Sequence, residues 1–150
     1  MGKSYCLSPI GIWEIISSDE YLIKINLVDK TGDEQLDPLA IEVNKQLSAY
    51  FDGRLKSFDL PINLDHSGFC LRVWESMQRI PYGKTVTYGE LAAMAGSPKA
   101  YRSAGSCAGK NPIPIVIPCH RVLASNGIGG FGLGLDVKRY LLALEQNNMG

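Results

Sequence analysis

The chain lacks any apolar stretch long enough to cross a bilayer, and its first twelve residues hold no run of the kind a signal peptide needs. Both absences make the cytoplasm the expected compartment and leave no membrane partner to expect. Also missing is any CxxC pair. The four cysteines, Cys6, Cys70, Cys107 and Cys119, stand apart, and no histidine lies at ligand spacing from two of them. A structural metal is therefore not expected. A disulfide framework would be unusual in a cytosolic chain, so each cysteine taken alone reads as a small buried apolar side chain. There is no internal repeat and no low-complexity tract. Net charge is absent too, with 15 basic residues balancing 15 acidic ones. That balance argues against a nucleic-acid partner, but the distribution argues the other way. Residues 1–68 carry six Lys and Arg against eleven Asp and Glu, a net −5, whereas residues 69–150 carry nine against four, a net +5. An acidic half joined to a basic half suggests that only the second meets a polyanion.

What is present suffices for one ordinary domain or two small ones sharing a core: 150 residues, 45% hydrophobic and 20% charged. Residues 10–16 and 21–28 are rich in β-branched side chains and predict strands. Ile23, Ile25 and Leu27 alternate with polar partners, and Ser18-Asp19-Glu20 supplies the turn. Asp37-Pro38 reads as a helix N-cap followed by a first-turn proline. Leu39, Val43, Leu47 and Tyr50 follow at helical spacing, and Asp52-Gly53 ends that helix. Residues 54–67 have no strong period and contain Pro61. A helix is expected over 68–79, with Phe69, Val73 and Met77 on one face and Pro81 beyond its end. After Thr85-Val86-Thr87, the spacing of Thr87 and Glu90 predicts a capping box and a second helix. Gly96 closes it, and Ser97-Pro98 restarts a helix over about 98–108. Two short helices around a tight glycine turn suggest a helix-turn-helix. The restarted helix is dominated by Ala100, Ser103, Ala104, Gly105, Ser106 and Ala108, small enough for close approach to another helix or to a DNA groove. Lys99 and Arg102 favour DNA. A last helix is expected over 136–146. The fold class is α+β/α. A small N-terminal α/β domain of strands plus a helix (1–58) and a linker (59–68) precede a mainly helical C-terminal domain with the helix-turn-helix (69–150), on which the first is expected to pack.

The run Ile113-Pro114-Ile115-Val116-Ile117 predicts a buried extended segment, with Pro114 keeping it out of a central strand. It delivers Pro118-Cys119-His120-Arg121 to the interior. Neighbouring side chains point in different directions, so His120 would act on Cys119 through one bridging water. On the last helix Val137, Leu141 and Leu144 mark the buried stripe. Glu145 lies about 40° around from Leu141 at about 100° per residue, bordering that stripe. A carboxylate near a core needs a partner. His120 is the natural one, because Glu145 would orient the ring and favour its cationic form; the competing choices are solvent, Lys138 and Arg139. Cys, His and Glu so arranged would make an activated thiolate. The glycine-dense loop contains Gly127-Ile128-Gly129-Gly130-Phe131-Gly132, formally a GxGxxG. Only 18 residues follow Gly132, too few for the rest of a dinucleotide-binding unit. Its glycines instead let backbone come close to a flat ligand, with N–H groups as donors.

The run Pro118-Cys119-His120-Arg121-Val122 resembles the active-site motif of the O6-alkylguanine-DNA alkyltransferases. The resemblance extends from Phe69 through Glu145, by way of Ile80-Pro81-Tyr82-Gly83-Lys84, Thr87-Tyr88, Gly96-Ser97-Pro98-Lys99-Ala100 and Lys110-Asn111-Pro112. The first half is similar more loosely, through Ser8-Pro9-Ile10-Gly11 and Tyr50-Phe51-Asp52-Gly53. The resemblance implies that Cys119 is the alkyl acceptor, His120 a water-linked base and Glu145 the group that orients it. It implies that Asn111 ties the recognition helix to the active-site turn, and that Tyr88 crowds the flipped nucleotide's phosphate and donates a proton to guanine. Arg102 would fill the gap left by the flipped base. DNA contacts are expected from Lys99, Ala100, Tyr101, Ser103, Thr87 and Arg121 as well, and a substrate pocket from Val122, Phe131 and Gly132. The implied activity is irreversible, stoichiometric transfer of an alkyl group from O6-alkylguanine in double-stranded DNA, with O4-alkylthymine a second candidate substrate. The base would be flipped out of a minor-groove complex, and a monomer without a cofactor is expected. Three positions depart from the family pattern: Phe131 stands for tyrosine, Gly132 for serine, and Tyr101 for a small residue. The zinc ligands of the animal members have no equivalent set. Three competing functions are a lesion-sensing relative, which would lack the acceptor cysteine, a helix-turn-helix regulator, which would not need the Pro-Cys-His-Arg run, and a Cys-His hydrolase, which would turn over repeatedly.

Overall fold

A computed structural model describes residues 1–64 and 67–149. The chain forms two compact units, Met1–Leu64 and Asp65–Gly150. The linker expected over 59–68 includes Asp65 and His66, which lie outside the described residues.

The first unit is a three-stranded antiparallel sheet, β1 (Gly2–Ser8), β2 (Gly11–Ser17) and β3 (Leu22–Val28), in the order β1-β2-β3, with helix α1 (Pro38–Phe51) against it. The β1–β2 hairpin is organised by one hydroxyl. Ser8 Oγ accepts from Ile10 N at 3.3 Å and from Trp13 Nε1 at 2.9 Å, and donates to Gly11 O at 2.9 Å. Strand β1 was not among the expected elements. Its inward residues are Gly2, Ser4 and Cys6, too small and polar to raise a hydrophobic alternation. Strand β3 breaks its expected alternation. Ile16 pairs with Lys24 and Ser17 with Leu22, so Ile23 is the extra residue of a bulge. Leu22 and Ile25 consequently point inward, and Ile23 is 38% exposed. Helix α1 begins as its residues dictate: Asp37 Oδ1 accepts from Ala40 N at 2.7 Å, and Pro38 opens the first turn. It buries Ala40, Val43, Leu47, Tyr50 and Phe51 against Trp13, Ile15, Leu22 and Ile25 of the sheet face. Each of the larger aliphatic side chains among them contributes about 1.5–3 kcal/mol on leaving water.

The second unit contains α2 (Phe69–Gln78), β4 (Val86–Thr87), α3 (Tyr88–Met94), α4 (Tyr101–Gly109), a single 3-10 turn (Cys119–Arg121), β5 (Val122–Leu123) and α5 (Leu135–Asn147). Helices α2, α3 and α4 pack on one another. Trp74 Nε1 donates to Cys107 O at 2.8 Å, and Arg72 Nε donates to Ala95 O at 3.0 Å, tying α2 to both neighbours. Cys70 and Cys107 form a disulfide between α2 and α4, against the expectation that each cysteine is a lone buried thiol. The capping box of α3 is present, with Thr87 Oγ1 accepting from Glu90 N and the Glu90 carboxylate accepting from Thr87 N. The helix expected from Pro98 begins later, at Tyr101. Residues 97–100 make a turn closed by Ala100 N donating to Ser97 O at 2.9 Å, and Ala100 has a non-helical ψ of 39°. Lys99 and Ala100 therefore precede the helix rather than ride on it. No helix among the described residues is long and apolar enough to cross a membrane.

Candidate active site

The apolar run 113–117 was expected to be extended; it is buried but folded into a turn. Ile117 N donates to Ile113 O at 2.9 Å, and Ile115 has a φ of +75°, the one positive value outside glycine among the described residues. A β-branched residue there costs on the order of 1–3 kcal/mol. Asn111 holds the turn from its base: its Nδ2 donates to Ile117 O at 2.7 Å, and its Oδ1 accepts from Ile113 N at 2.9 Å. Since Asn111 lies just past the Lys110 cap of α4, the same amide ties that helix's end to the turn. Pro118, at φ −82° and ψ 69°, then makes an inverse γ-turn in which Cys119 N donates to Ile117 O at 2.8 Å. The consequence is that Cys119 and His120 start a 3-10 turn in the interior, 9% and 0% exposed.

Behind them lies a buried ionic cluster. His120 Nε2 meets Glu145 Oε2 at 2.6 Å. Arg121 Nε donates to Glu145 Oε1 at 2.8 Å and Arg121 Nη2 to Oε2 at 3.0 Å, while Gly83 N is a second donor to Oε1 at 2.9 Å. Arg121 Nη1 donates to Ile80 O at 2.7 Å. Burial alone would push the Glu145 carboxyl up, but the hydrogen bonds of His120 and Arg121 and the Arg121 charge hold it well below the usual carboxylate range. Glycine is favoured at position 83, where φ is +76°, and a Cβ would have to displace the end of the Met149 side chain. Glu145 therefore neither swings to solvent nor pairs with Lys138 or Arg139. Arg121 was expected to face DNA. It is instead 7% exposed and committed to Glu145 by a two-pronged contact.

The protonation states also differ from expectation. Burial, the largest effect, raises the Cys119 thiol, while the Asn111 amide, the backbone N–H groups of Cys119 and His120, and the charge of Lys138 pull it down. At neutral pH the resting sulfur is a thiol, not a standing thiolate. Burial likewise lowers His120 more than Glu145 raises it, so the imidazole rests neutral rather than cationic. A neutral imidazole one residue from a neutral thiol can serve as its base, directly or through one water.

Around the sulfur stand two residues from other elements. The parallel pairing of Val86 with Val122 and Thr87 with Leu123 brings the start of α3 alongside the active-site turn. Tyr88 is thereby half-buried near the thiol. Burial and then the charge of Cys119 raise its phenol, keeping the hydroxyl a proton donor. It donates to Gly130 O at 3.4 Å. Lys138 was missed as a site residue. It is 0% exposed, and its Nζ donates to Val122 O at 2.7 Å and to Gly130 O at 3.0 Å. Its spacing on α5, seven residues before Glu145, was the available signal. Of the expected pocket residues, Val122 is fully buried, Phe131 half-buried and Gly132 exposed. Lys99, Tyr101, Arg102 and Ser103 are exposed around the start of α4, with Ala100 half-buried and the Arg102 guanidinium 5.9 Å from the Tyr101 ring. Thr87 is half-buried with its hydroxyl engaged in the helix cap.

Residues 68–147 match the model of the 6-O-methylguanine DNA methyltransferase DNA binding domain, and residues 1–64 match that of the ribonuclease-like domain of the same proteins. The chain is 43% identical over 148 residues to the methylated-DNA--protein-cysteine methyltransferase of Mycolicibacterium paratuberculosis, covering 94% of this chain and 90% of that one. Among solved structures it is similar to the O6-methylguanine methyltransferase of Mycobacterium tuberculosis, at 37% identity and a TM-score of 0.87 over 97% of this chain and 93% of that one. It is also similar to Mycobacterium tuberculosis OGT solved in complex with DNA, at 38% identity and a TM-score of 0.87, covering 96% and 92%. With both halves matched and the buried cysteine, histidine and glutamate in place, the chain belongs to the 6-O-methylguanine DNA methyltransferase family.

Proposed function

We propose that this chain repairs DNA directly, moving the alkyl group of O6-alkylguanine onto Cys119 once per molecule. The observation that carries this reading is a free, buried thiol followed directly in sequence by a buried imidazole that a buried carboxylate holds by Nε2. Because Glu145 occupies Nε2, proton exchange with Cys119 runs through Nδ1, directly or by one water. The thiol proton passes to His120, sulfur attacks the alkyl carbon, and the carbon–O6 bond breaks. Guanine leaves with the electron pair and takes a proton from the Tyr88 hydroxyl. The proton held on His120 returns through solvent to the phenolate, so the net change is the loss of S–H and C–O6 bonds for S–C and guanine N–H bonds. Glu145, itself held in place by Arg121, steadies the imidazole as it becomes cationic. The thioether has no good leaving group, so the reaction ends there and no cofactor enters it.

The damaged oxygen lies inside the duplex, so the base is extruded to reach a buried sulfur. Helices α3 and α4 act as the helix-turn-helix, with Arg102, Lys99, Tyr101 and Ser103 toward the minor groove. The basic second unit meets the phosphates, and the acidic first unit serves as scaffold. The protein acts as a cytoplasmic monomer on double-stranded DNA. A lesion sensor or a transcription regulator would have no use for the free thiol and its ionic backing.

The test is incubation with duplex DNA carrying O6-methylguanine, followed by the mass of the intact protein and of its peptides. One methyl on the peptide containing Cys119 is expected, and none in Cys119→Ser. Repeated turnover, or a methyl on Cys6, would overturn the mechanism.

A further inference from the structure

Lys138 presents a physical problem that the reaction so far does not use. Its side chain is wholly buried, and its Nζ is satisfied by two carbonyls, Val122 O and Gly130 O. No carboxylate is among its partners in the described residues. Buried charges are costly unless matched by an opposite charge. Two aromatic faces offer partial compensation: Nζ lies 5.9 Å from the Tyr88 ring centroid and 5.8 Å from that of Phe131. These contacts favour the ammonium form but do not neutralise it. The negative charge that can form beside it is the Cys119 thiolate, and the coupling is reciprocal. Lys138 lowers the thiol, and Cys119 raises the lysine against its own burial.

We propose that Lys138 is a positioning residue of this site: a buried ammonium that ties the backbone after Cys119 to the glycine loop and compensates the sulfur's charge as the thiolate forms. The inference rests on the alkyl-acceptor reading of Cys119. Val122 lies three residues after Cys119 and Gly130 lies in the loop beside Tyr88, so one ammonium fixes both walls around the sulfur. When the thiol proton moves to His120, the site holds an imidazolium, a thiolate, the Arg121–Glu145 pair and Lys138. The other titratable groups facing it are the phenols of Tyr88 and Tyr82. As the sulfur–carbon bond forms and carbon–O6 breaks, the negative charge passes to guanine. Lys138 keeps its proton throughout and helps only while the charge is on sulfur.

The test separates charge from tie. Lys138→Gln keeps a donor for the carbonyls but removes the charge, and Lys138→Arg keeps both. The probe is iodoacetamide, with Cys119 alkylation followed by peptide mass across pH. An opposite charge nearby shifts a group by about one unit or more. The Gln variant should therefore react about tenfold more slowly at pH 7, with its rate–pH midpoint moved up, and Lys138→Arg should recover most of the loss. A Gln profile that overlays the wild type overturns the proposal, because a purely structural tie would not move the midpoint. Should the Gln variant fail to fold, the wild type answers by reagent charge. Anionic iodoacetate should gain on iodoacetamide at folded Cys119 relative to the unfolded chain, and an equal or smaller ratio overturns the idea. Both readouts report thiol chemistry without DNA, so they can fail while alkylguanine repair stands, and the reverse.

Discussion

The two units bury polar groups in different ways. In the first, the buried polar side chains are Ser4 and Ser17, hydroxyls at the edge of a core of Trp13, Ile15, Leu22, Val43, Leu47 and Tyr50. In the second they include His120, Arg121, Lys138 and Glu145. Apolar burial in the first unit is non-directional, and any well-packed set of similar volume would serve. The second unit spends part of its stability holding charges out of water, each of which must be matched in position as well as sign. The contrast says where the chemistry is. A core that keeps four ionisable groups from solvent is built for proton transfer, and the neighbouring core is built to fold.

The sharpest way to break this contrast is Glu145→Gln. The substitution keeps the shape but leaves Arg121 buried without its counter-charge. Removal of one member of a buried pair costs about 3–5 kcal/mol. Trp13 and Trp74 report on the two units separately, one in each. With the other tryptophan replaced by phenylalanine, the Trp74 denaturation midpoint should fall strongly and the Trp13 midpoint should fall less. Alkyl transfer should slow as well, because the imidazole loses its anchor. Equal falls at both tryptophans would mean that the units unfold as one, and the contrast would be chemical only. The wild type should show the same asymmetry in acid. His120 is held below its ordinary value, so below about pH 6.5 the unfolded chain takes a proton that the folded site refuses, and stability falls. Glu145 is also held low, so below about pH 4.3 the unfolded carboxylate protonates first, and stability falls again. Both losses belong to the second unit, and Trp74 should report acid unfolding before Trp13.

The same division governs what could be read from the residues. Helix α1 was legible to its ends because Asp37, Pro38 and Asp52 act locally. Cys119, His120 and Glu145 were legible as a set because an apolar run led into the first two and a helical stripe bordered the third. Their protonation states were not, because burial of each group depends on elements far apart in sequence. Lys138 was taken only as an alternative partner for Glu145, although it lies on the same stripe of α5. A lysine on an apolar stripe is ordinarily read as reaching for solvent, and only the carbonyls of Val122 and Gly130 show that it does not. Arg121 was placed among the DNA contacts although its carboxylate partner, Glu145, lies 24 residues away in sequence and only the fold brings the two together. Strand β1 was missed because its inward side chains are small, and the turn at 113–117 because the clamp that makes it, Asn111, lies outside the apolar run.

A smaller test concerns the Cys70–Cys107 disulfide, which closes a span of 37 residues within the second unit. On the loop-entropy account such a link contributes about 4 kcal/mol, and measured values often fall below that. A thiol reductant should lower the unfolding free energy that Trp74 reports by about 2–4 kcal/mol and leave the one that Trp13 reports nearly unchanged. The double variant Cys70→Ala, Cys107→Ala should behave like the reduced protein and be indifferent to reductant. An unchanged Trp74 midpoint would mean that packing of α2 on α4 and the Trp74–Cys107 hydrogen bond suffice without the covalent link.

The smallest expected effect probes the first unit from its own side. Gly11 has a φ of +132°, and a Cβ there would come 2.9 Å from the Leu27 side chain. Alanine at such a backbone position is strained, and Leu27 must yield, so Gly11→Ala should cost about 1–2 kcal/mol. Trp13 should report that loss at 25 °C in urea. The rate of Cys119 methylation by O6-methylguanine DNA should stay within about twofold of the wild type, because nothing in the thiol's proton transfer runs through the hairpin. A tenfold slower methylation in a variant that is still folded would show that the first unit shapes the reacting site, and its role as scaffold would have to be given up.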